Sequence, residues 1–209
     1  MTVEFRDLRT ADELAVLPRF EQHIWGGDLE MVSVNVLVAT VSEGGMAIGA
    51  FDADGRIVGA VYGFATRDPD VLHSHYLAVD PAYRGRGLGV ELKRRQRAWC
   101  LERGITAMRW TYDPLQLANA HLNLRVLGAI GESYHVNHYG TLGGINGDLP
   151  SDRITVRWEL REGVRRPEPD LAVDVPACAP SDIAASNEVA MAARMALRDA
   201  LAGRLGAGW

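Results

Sequence analysis

Two cysteines in 209 residues, Cys100 and Cys178, are too few and too far apart for a disulfide framework, and they lack metal-ligand spacing. A reducing interior is the simplest setting for them. No apolar run approaches the length of a membrane span, and the N-terminus, Met1 to Asp7, has no apolar signal core. These two absences lead to the expectation of a cytoplasmic protein with no membrane partner. Positive charge is not in excess either: the net charge of -5 argues against general nucleic-acid binding. Also missing is a Gly-x-Ser-x-Gly elbow, which removes the common serine-hydrolase reading. No His/Cys/carboxylate group shows convincing ligand spacing, so no metal is expected. His135 and His138, three apart in an expected strand, should point to opposite faces and make a poor metal pair.

What the chain does have is one dense stretch, Tyr76 to Val90. An apolar extended segment, His73 to Val79, is stopped by Asp80-Pro81, and a periodic apolar pattern from Leu88 to Leu101 reads as a helix. Gly85, Gly87 and Gly89 leave the backbone bare where that helix begins, and Arg84 and Arg86 flank the turn. Helix starts carry unpaired N–H groups and partial positive charge, so this one is suited to an anion such as a pyrophosphate. The bland alternative is a flexible connection with solvated charges. Spacing rules out two familiar phosphate motifs. A Rossmann fingerprint begun by Gly85 and Gly87 would need glycine where Val90 stands, and a Walker loop would need Gly-Lys-Ser/Thr.

Arg84-Gly85-Arg86-Gly87-Leu88-Gly89 resembles the Arg/Gln-x-x-Gly-x-Gly/Ala signature of the GNAT superfamily of acyl-CoA-dependent N-acyltransferases. The resemblance implies that the turn wraps the pyrophosphate of coenzyme A. It also implies that Leu77, Ala78 and Val79 align the pantetheine arm through their backbone, with acetyl-CoA as co-substrate. The stretches Trp110 to Gly128, His138 to Gly140 and Ser151 to Arg153 are similar to a little-characterised bacterial branch of that superfamily. Nothing in that placement identifies a substrate.

The order of elements agrees with the resemblance. Val3 to Leu8 alternates like a strand, and Thr10 to Glu13 has the form of a capping box that starts a helix carrying Leu14, Leu17, Phe20 and Ile24 inward. Gly26-Gly27 ends that helix, and Asp28 to Val41 reads equally as helix or strand. Ala47 to Phe51 and Ile57 to Phe64 flank a hairpin turn, Asp52 to Gly55. The strand and helix of the central stretch follow, with Gly104 closing the helix. Ile105 to Tyr112 is a fifth strand. Leu115 to Leu127 is helical, with Leu117, Leu124 and Leu127 as burial candidates and Gly128 as its cap, and Tyr134 to Tyr139 and Ile154 to Leu160 close the sheet. The fold implied is α/β (α+β): a mixed, mostly antiparallel twisted sheet with strands four and five splayed, flanked by helices. Residues 1–162 form the expected acyltransferase domain. Residues 163–209 form a proline-marked linker, Arg165 to Pro180, and an alanine-rich helix, Ile183 to Leu205, that Ser181-Asp182 could cap. Met191, Met195 and Leu201 are spaced to share one apolar stripe. That appendage lies on the domain or on a second subunit, which leaves a homodimer open.

Acyl transfer from a thioester to an amine requires a deprotonated amine and a protonated leaving thiolate. His73 and His75 share one strand face by the period of two, and their ordinary pKa near 6.5 suits proton removal at neutral pH. Their spacing is similar to the His-x-His of arylalkylamine N-acetyltransferases, and position 73 corresponds to the glutamate base of the histone acetyltransferases in the superfamily. The acid is a departure: where many relatives carry tyrosine, this chain has Leu124. Tyr112, Tyr134 or Tyr139 could substitute, or the thiolate could leave unassisted. By resemblance Asn119 holds the pantetheine or the substrate. Asn119 and Asn123, one turn apart, are expected to share a helix face. Asp113 is either a carboxylate for an amine or a helix-start cap, and Tyr112, Asp113 and Asn123 form the candidate acceptor group. The activity implied is N-acetyl transfer to a small primary amine by direct attack in a ternary complex. Its rivals are a CoA-binding module without turnover and an enzyme using a longer acyl-CoA.

Overall fold

The computed structural model describes residues 2–26, 31–164, 173–176 and 178–207. The expected linker Arg165 to Pro169, Gly27 at the expected end of the first helix and Asp28 at the start of the ambiguous stretch lie outside them. The described residues form two compact units.

The first unit, up to Arg109 and again from Glu159 to Arg161, holds β1 (Glu4–Asp7), α1 (Ala11–Leu14), α2 (Val16–Trp25), α3 (Val34–Ser42), β2 (Met46–Phe51), β3 (Ile57–Ala65), β4 (Val71–Val79), α4 (Leu88–Leu101) and the start of β5 (Ala107–Tyr112). The capping box is present in both directions. Thr10 Oγ1 accepts from the Glu13 amide, and Glu13 Oε2 accepts from the Thr10 amide at 2.9 Å. Leu14, Leu17, Phe20 and Ile24 are all buried, and they pack with Leu37, Tyr62, Tyr76 and Ala78 in one apolar cluster. At several kcal/mol per large side chain buried, this face does most to hold the helices on the sheet. The ambiguous stretch resolves as helix α3, capped by Ser33. Strands β1 to β4 pair antiparallel in sequence order.

Pairing between β4 and β5 is parallel and spans only Val71 with Ala107, Leu72 with Met108 and His73 with Arg109. The rest of β4 is therefore splayed away from the ladder. On the other sheet face α4 approaches so closely that a Cβ on Gly59 would lie 3.1 Å from Leu92 Cδ1 and 3.2 Å from Leu88 Cδ2. Glycine at 59 is what admits the helix.

The second unit holds the end of β5, α5 (Leu117–Ala120), a π-helical stretch His121–Val126, β6 (Ile130–His135), the main part of β7 (Arg153–Glu159), α6 (Pro180–Ala185), α7 (Glu188–Leu201) and a two-residue β8 (Gly206–Ala207). β6 pairs antiparallel with β7 and parallel with β8.

The structure departs from the local expectations at several places. The sixth strand starts at Ile130 and stops at His135, because Asn137 turns the chain with φ 50°, its amide donating to Asp152 and its side chain accepting from Ser151. As a result the rings of His135 and His138 do not diverge; their centroids lie 4.5 Å apart. The last helix is two helices: Ser186 is left-handed (φ 50°), and Asn187 then caps α7 by accepting from the Ala190 amide. Helix α6 begins at Pro180, with Asp182 reaching back to the Ala179 amide. Leu117 and Leu124 are exposed while Leu127 is buried. On α7 Leu201 is buried but Met191 and Met195 face solvent, so the expected stripe is not one apolar face. The buried side of α7 is Ala190, Ala193, Arg194 and Leu197.

Candidate active site

The turn before α4 is shaped by its glycines. Asp80 ends β4 by accepting from the Ala82 amide at 2.8 Å, and Pro81 opens a single 3-10 turn. Gly85 and Gly87 then adopt φ of +72° and +79°, values that cost an L-residue roughly 1–2 kcal/mol. A Cβ at either would meet nothing within 4 Å, so the conformation, and not crowding, calls for glycine there. Gly87 caps α4 without a side chain, and the Glu91 amide closes the first turn onto the Gly87 carbonyl at 3.0 Å. The amides of Gly87, Leu88, Gly89 and Val90 make no backbone hydrogen bond among the described residues, and Arg84 to Gly87 are exposed. This is a helix start presenting donors to solvent.

Both arginines frame the turn. Arg84 Nε donates to the Val79 carbonyl at 3.2 Å, and the Arg86 guanidinium lies 5.6 Å from the Tyr83 ring centroid. Tyr83 is braced in turn, its hydroxyl donating to Asp52 Oδ2 at 3.2 Å in the β2–β3 hairpin. Leu88 is buried and anchors the helix start, and the side chains of Leu77 and Val79 line the position of Gly89. Three further basic residues of α4 are engaged elsewhere. Arg95 pairs with Glu91 and stacks on Phe5, Arg97 donates to the Leu160 carbonyl at 2.7 Å, and Lys93 is buried.

Strand β4 carries a bulge at His75: Tyr76 pairs with Tyr62 and Ser74 with Gly63, which leaves His75 as the extra residue. A bulge switches the parity of the side chains beyond it. Before it, His73 stacks on Phe64 at 4.7 Å while Ser74 turns to α4, where its hydroxyl contacts Lys93 Nζ at 2.7 Å and Gln96 Oε1 at 2.9 Å. After it, Tyr76 joins the first face, beside Trp25 and Tyr62, while Leu77 and Val79 turn to α4. His73, His75 and Tyr76 thus stand on one face. The two imidazole centroids are 6.0 Å apart. The His75 side chain is exposed at one edge, and the partial loss of water where its ring packs on Tyr62, Phe64 and Tyr76 holds its pKa below the ordinary value of 6.5.

Two buried ionisable groups of this unit are not evident from motif reading. Glu21, on α2, is buried, and burial raises its carboxyl to about 7 against the pull of the Val32 amide. Its spacing of four from Leu17 places an acid on the apolar stripe, a signal that was legible. Lys93 is buried on α4, and desolvation lowers its ammonium to about 7.

The other sequence candidates lie in the second unit. Asp113 is buried, and both its oxygens accept from Arg194, at 2.6 and 2.7 Å; Oδ1 also accepts from the Leu115 amide at 2.9 Å, the capping geometry. Tyr112 is buried and its phenol is pushed up to about 12 by desolvation. Asn119 is exposed on α5 and Asn123 is buried, so the two do not share a face. The π-helical stretch widens the turn between them, closing with the Leu127 amide on the Leu122 carbonyl. Asp152 accepts from Arg198 and Tyr134, so α7 is tied to this unit by two arginine–aspartate pairs.

A family model described as acetyltransferase (GNAT) family matches residues 13–129, more than half of the chain. The protein belongs to the GNAT acetyltransferase family. Solved structures agree on the fold. The ribosomal-protein-S18-alanine N-acetyltransferase of Escherichia coli is 18% identical with a TM-score of 0.61, over 79% of this chain and all of that one. A GNAT superfamily phosphinothricin acetyltransferase of Sinorhizobium meliloti, solved in complex with AcCoA, is 19% identical with a TM-score of 0.62, over 82% and 96%. yncA of Salmonella typhimurium, a putative acetyltransferase solved with its cofactor acetyl-CoA, is 16% identical with a TM-score of 0.61, over 82% and 100%. Among curated proteins none matches the sequence. No helix among the described residues is long and apolar enough to cross a membrane.

Proposed function

We propose that the protein transfers an acetyl group from acetyl-CoA to a primary amine by direct attack in a ternary complex. The observation that carries this reading is the Gly85–Gly89 turn, whose exposed amides and two arginines match the charge and size of a pyrophosphate. Gly85, Arg86, Gly87, Leu88 and Gly89 hold the pyrophosphate through their amides. Arg84 fixes the turn to the end of β4 while adding positive charge. The splayed backbone of Leu77, Ala78 and Val79 aligns the pantetheine arm.

His73 and His75 supply the base. The amine lone pair attacks the thioester carbonyl carbon, the C–N bond forms and the C–S bond breaks. The amine's proton passes to an imidazole, directly or through water, and then to solvent. The thiolate takes its proton from solvent, which is tolerable because a thiol ionises near pH 8.5. The roles of Asn119 toward the pantetheine and of Tyr112, Asp113 and Asn123 toward the acceptor rest on the resemblance. For Asp113 the arginine contacts favour a positioning role.

Calorimetry with coenzyme A, followed by thiol release from acetyl-CoA over an amine panel, tests the reading. Micromolar binding with amine-dependent release supports it. No affinity for coenzyme A overturns it, and binding without any release assigns a non-catalytic module.

A further inference from the structure

The face of β4 that carries the two histidines ends on a carboxyl group with no cation beside it. Glu21 is 3% exposed and Tyr76 is 9% exposed, and they sit in one aromatic cluster. The Trp25 ring stands edge-on to Tyr76 at 5.5 Å, and Tyr62 lies 5.7 Å from Tyr76 with its own hydroxyl engaged by Thr40 Oγ1 at 2.6 Å. Glu21 Oε2 accepts a long bond from the Val32 amide, 3.4 Å. Glu21 Oε1 and Tyr76 Oη are both buried, and neither completes a hydrogen bond of normal geometry among the described residues, although the phenol lies near enough to the carboxyl to pull its pKa down by a weak hydrogen bond. They are coupled electrostatically: after burial, the Glu21 carboxyl is the largest influence holding the Tyr76 phenol well above its ordinary value.

No lysine, arginine or histidine forms an ion pair with Glu21 among the described residues. The titratable groups facing it are Tyr76 from β4 and Tyr62 from β3. A buried acid with neither a cation nor a full set of donors is costly, on the order of 1–3 kcal/mol for each unmet group. The Tyr76 phenol keeps its own hydrogen to donate, so what the site lacks is a donor for Glu21 Oε1; a cationic N–H group supplies both that hydrogen and the missing positive charge, and the neighbouring aromatic rings tolerate it.

We propose that Glu21 and Tyr76 form the subsite that receives a charged nitrogen of the acceptor, which makes the acceptor an organic ammonium and not a neutral or weakly basic amine. This deepens the acyltransferase reading above and rests on it. Binding requires the carboxylate, so an ammonium arriving near neutral pH displaces the proton that part of the Glu21 population carries, and that proton goes to solvent. The arriving nitrogen still loses its own proton to the imidazole pair before attack.

The test is Glu21→Gln, which keeps shape and removes charge, with folding checked by circular dichroism melting. With strongly basic alkylamines the variant is expected to raise KM about tenfold or more while kcat stays within about twofold. Weakly basic arylamines should be unaffected. The acidic limb of kcat/KM for the acceptor, near pH 7 in the parent, should move below about pH 6.5 in the variant, where the imidazole pair alone sets it. Unchanged KM and an unchanged limb overturn the subsite and leave the two atoms as a water site. If the parent acylates no amine, phenethylammonium is titrated calorimetrically into the CoA-bound protein. Binding that Glu21→Gln abolishes upholds the subsite while the catalytic reading falls; a parent that binds none overturns the subsite. Failure to bind coenzyme A defeats the underlying reading separately.

Discussion

Replacing Lys93 by methionine should make this protein more stable, and more so at low pH than at high. Lys93 is 2% exposed beneath β4, where it contacts Ser74 Oγ at 2.7 Å and Gln96 Oε1 at 3.1 Å. Desolvation lowers its ammonium from 10.5 to about 7. At 1.36 kcal/mol per pH unit, that fall corresponds to roughly 5 kcal/mol of differential stability at most. The sign follows from proton counting. Between about pH 7 and 10.5 the unfolded chain holds a proton on Lys93 that the folded chain has released, so stability rises with pH across that window. Below about pH 7 both states are protonated and the full cost is present.

Methionine fills nearly the same volume without charge. It forfeits the two polar contacts, worth about 1 kcal/mol each, but leaves the Ser74–Gln96 bond of 2.9 Å intact. The net gain at pH 6 is therefore expected to be about 2–3 kcal/mol, shrinking toward pH 10 and reversing where the parent's lysine is neutral in both states. Urea unfolding of both proteins at intervals from pH 6 to 10 reads the difference directly. Parallel stability profiles, with no convergence between pH 7 and 10, would show that the lysine is not desolvated as the structure has it.

Three other outcomes are expected. Gly87→Glu puts a side chain into a φ of +79° and a negative charge among the exposed amides, so calorimetry should find coenzyme A binding lost while circular dichroism shows the fold retained; binding within threefold of the parent would remove the turn from the site. His73→Ala should spare acetyl-CoA affinity and lower kcat by about 10²–10³-fold. In the parent, kcat should fall only below about pH 6.5, because the His75 pKa is depressed and the neutral imidazole is the active form; a kcat limb above pH 7.5 contradicts this. Arg194→Ala leaves the buried Asp113 carboxylate with only the longer Arg153 contact, 3.7 Å, and the Leu115 amide, and should cost about 3 kcal/mol in urea unfolding. Adding Asp113→Asn should recover part of that loss, and an additive double substitution would deny the pairing.

Element positions and the glycine turn before α4 were legible in the residues alone because their causes are local. Thr10 and Glu13 are three residues apart and cap a helix wherever it lies. Asp52 to Gly55 turns a hairpin by its own dihedral preferences, and Gly85 and Gly87 mark a backbone conformation that other residues resist. The amphipathic spacing of Leu14, Leu17, Phe20 and Ile24 also specified its buried face. The same stripe contained Glu21, though no local rule says what an inward acid will meet. The bulge at His75 exists because β3 and β4 fit only with one extra residue, and it alone brings Tyr76 to the histidine face. Lys93 reads as a solvated base on a basic helix until Ser74 and Gln96 enclose it, and Asp113 reads as a cap until Arg194, 81 positions later, takes both its oxygens. Charge and burial are properties of surroundings assembled from distant segments. Backbone preference belongs to each residue, so the chain's own letters could declare where the backbone turns bare before α4, whereas the protonation and partnering of the polar groups waited on packing.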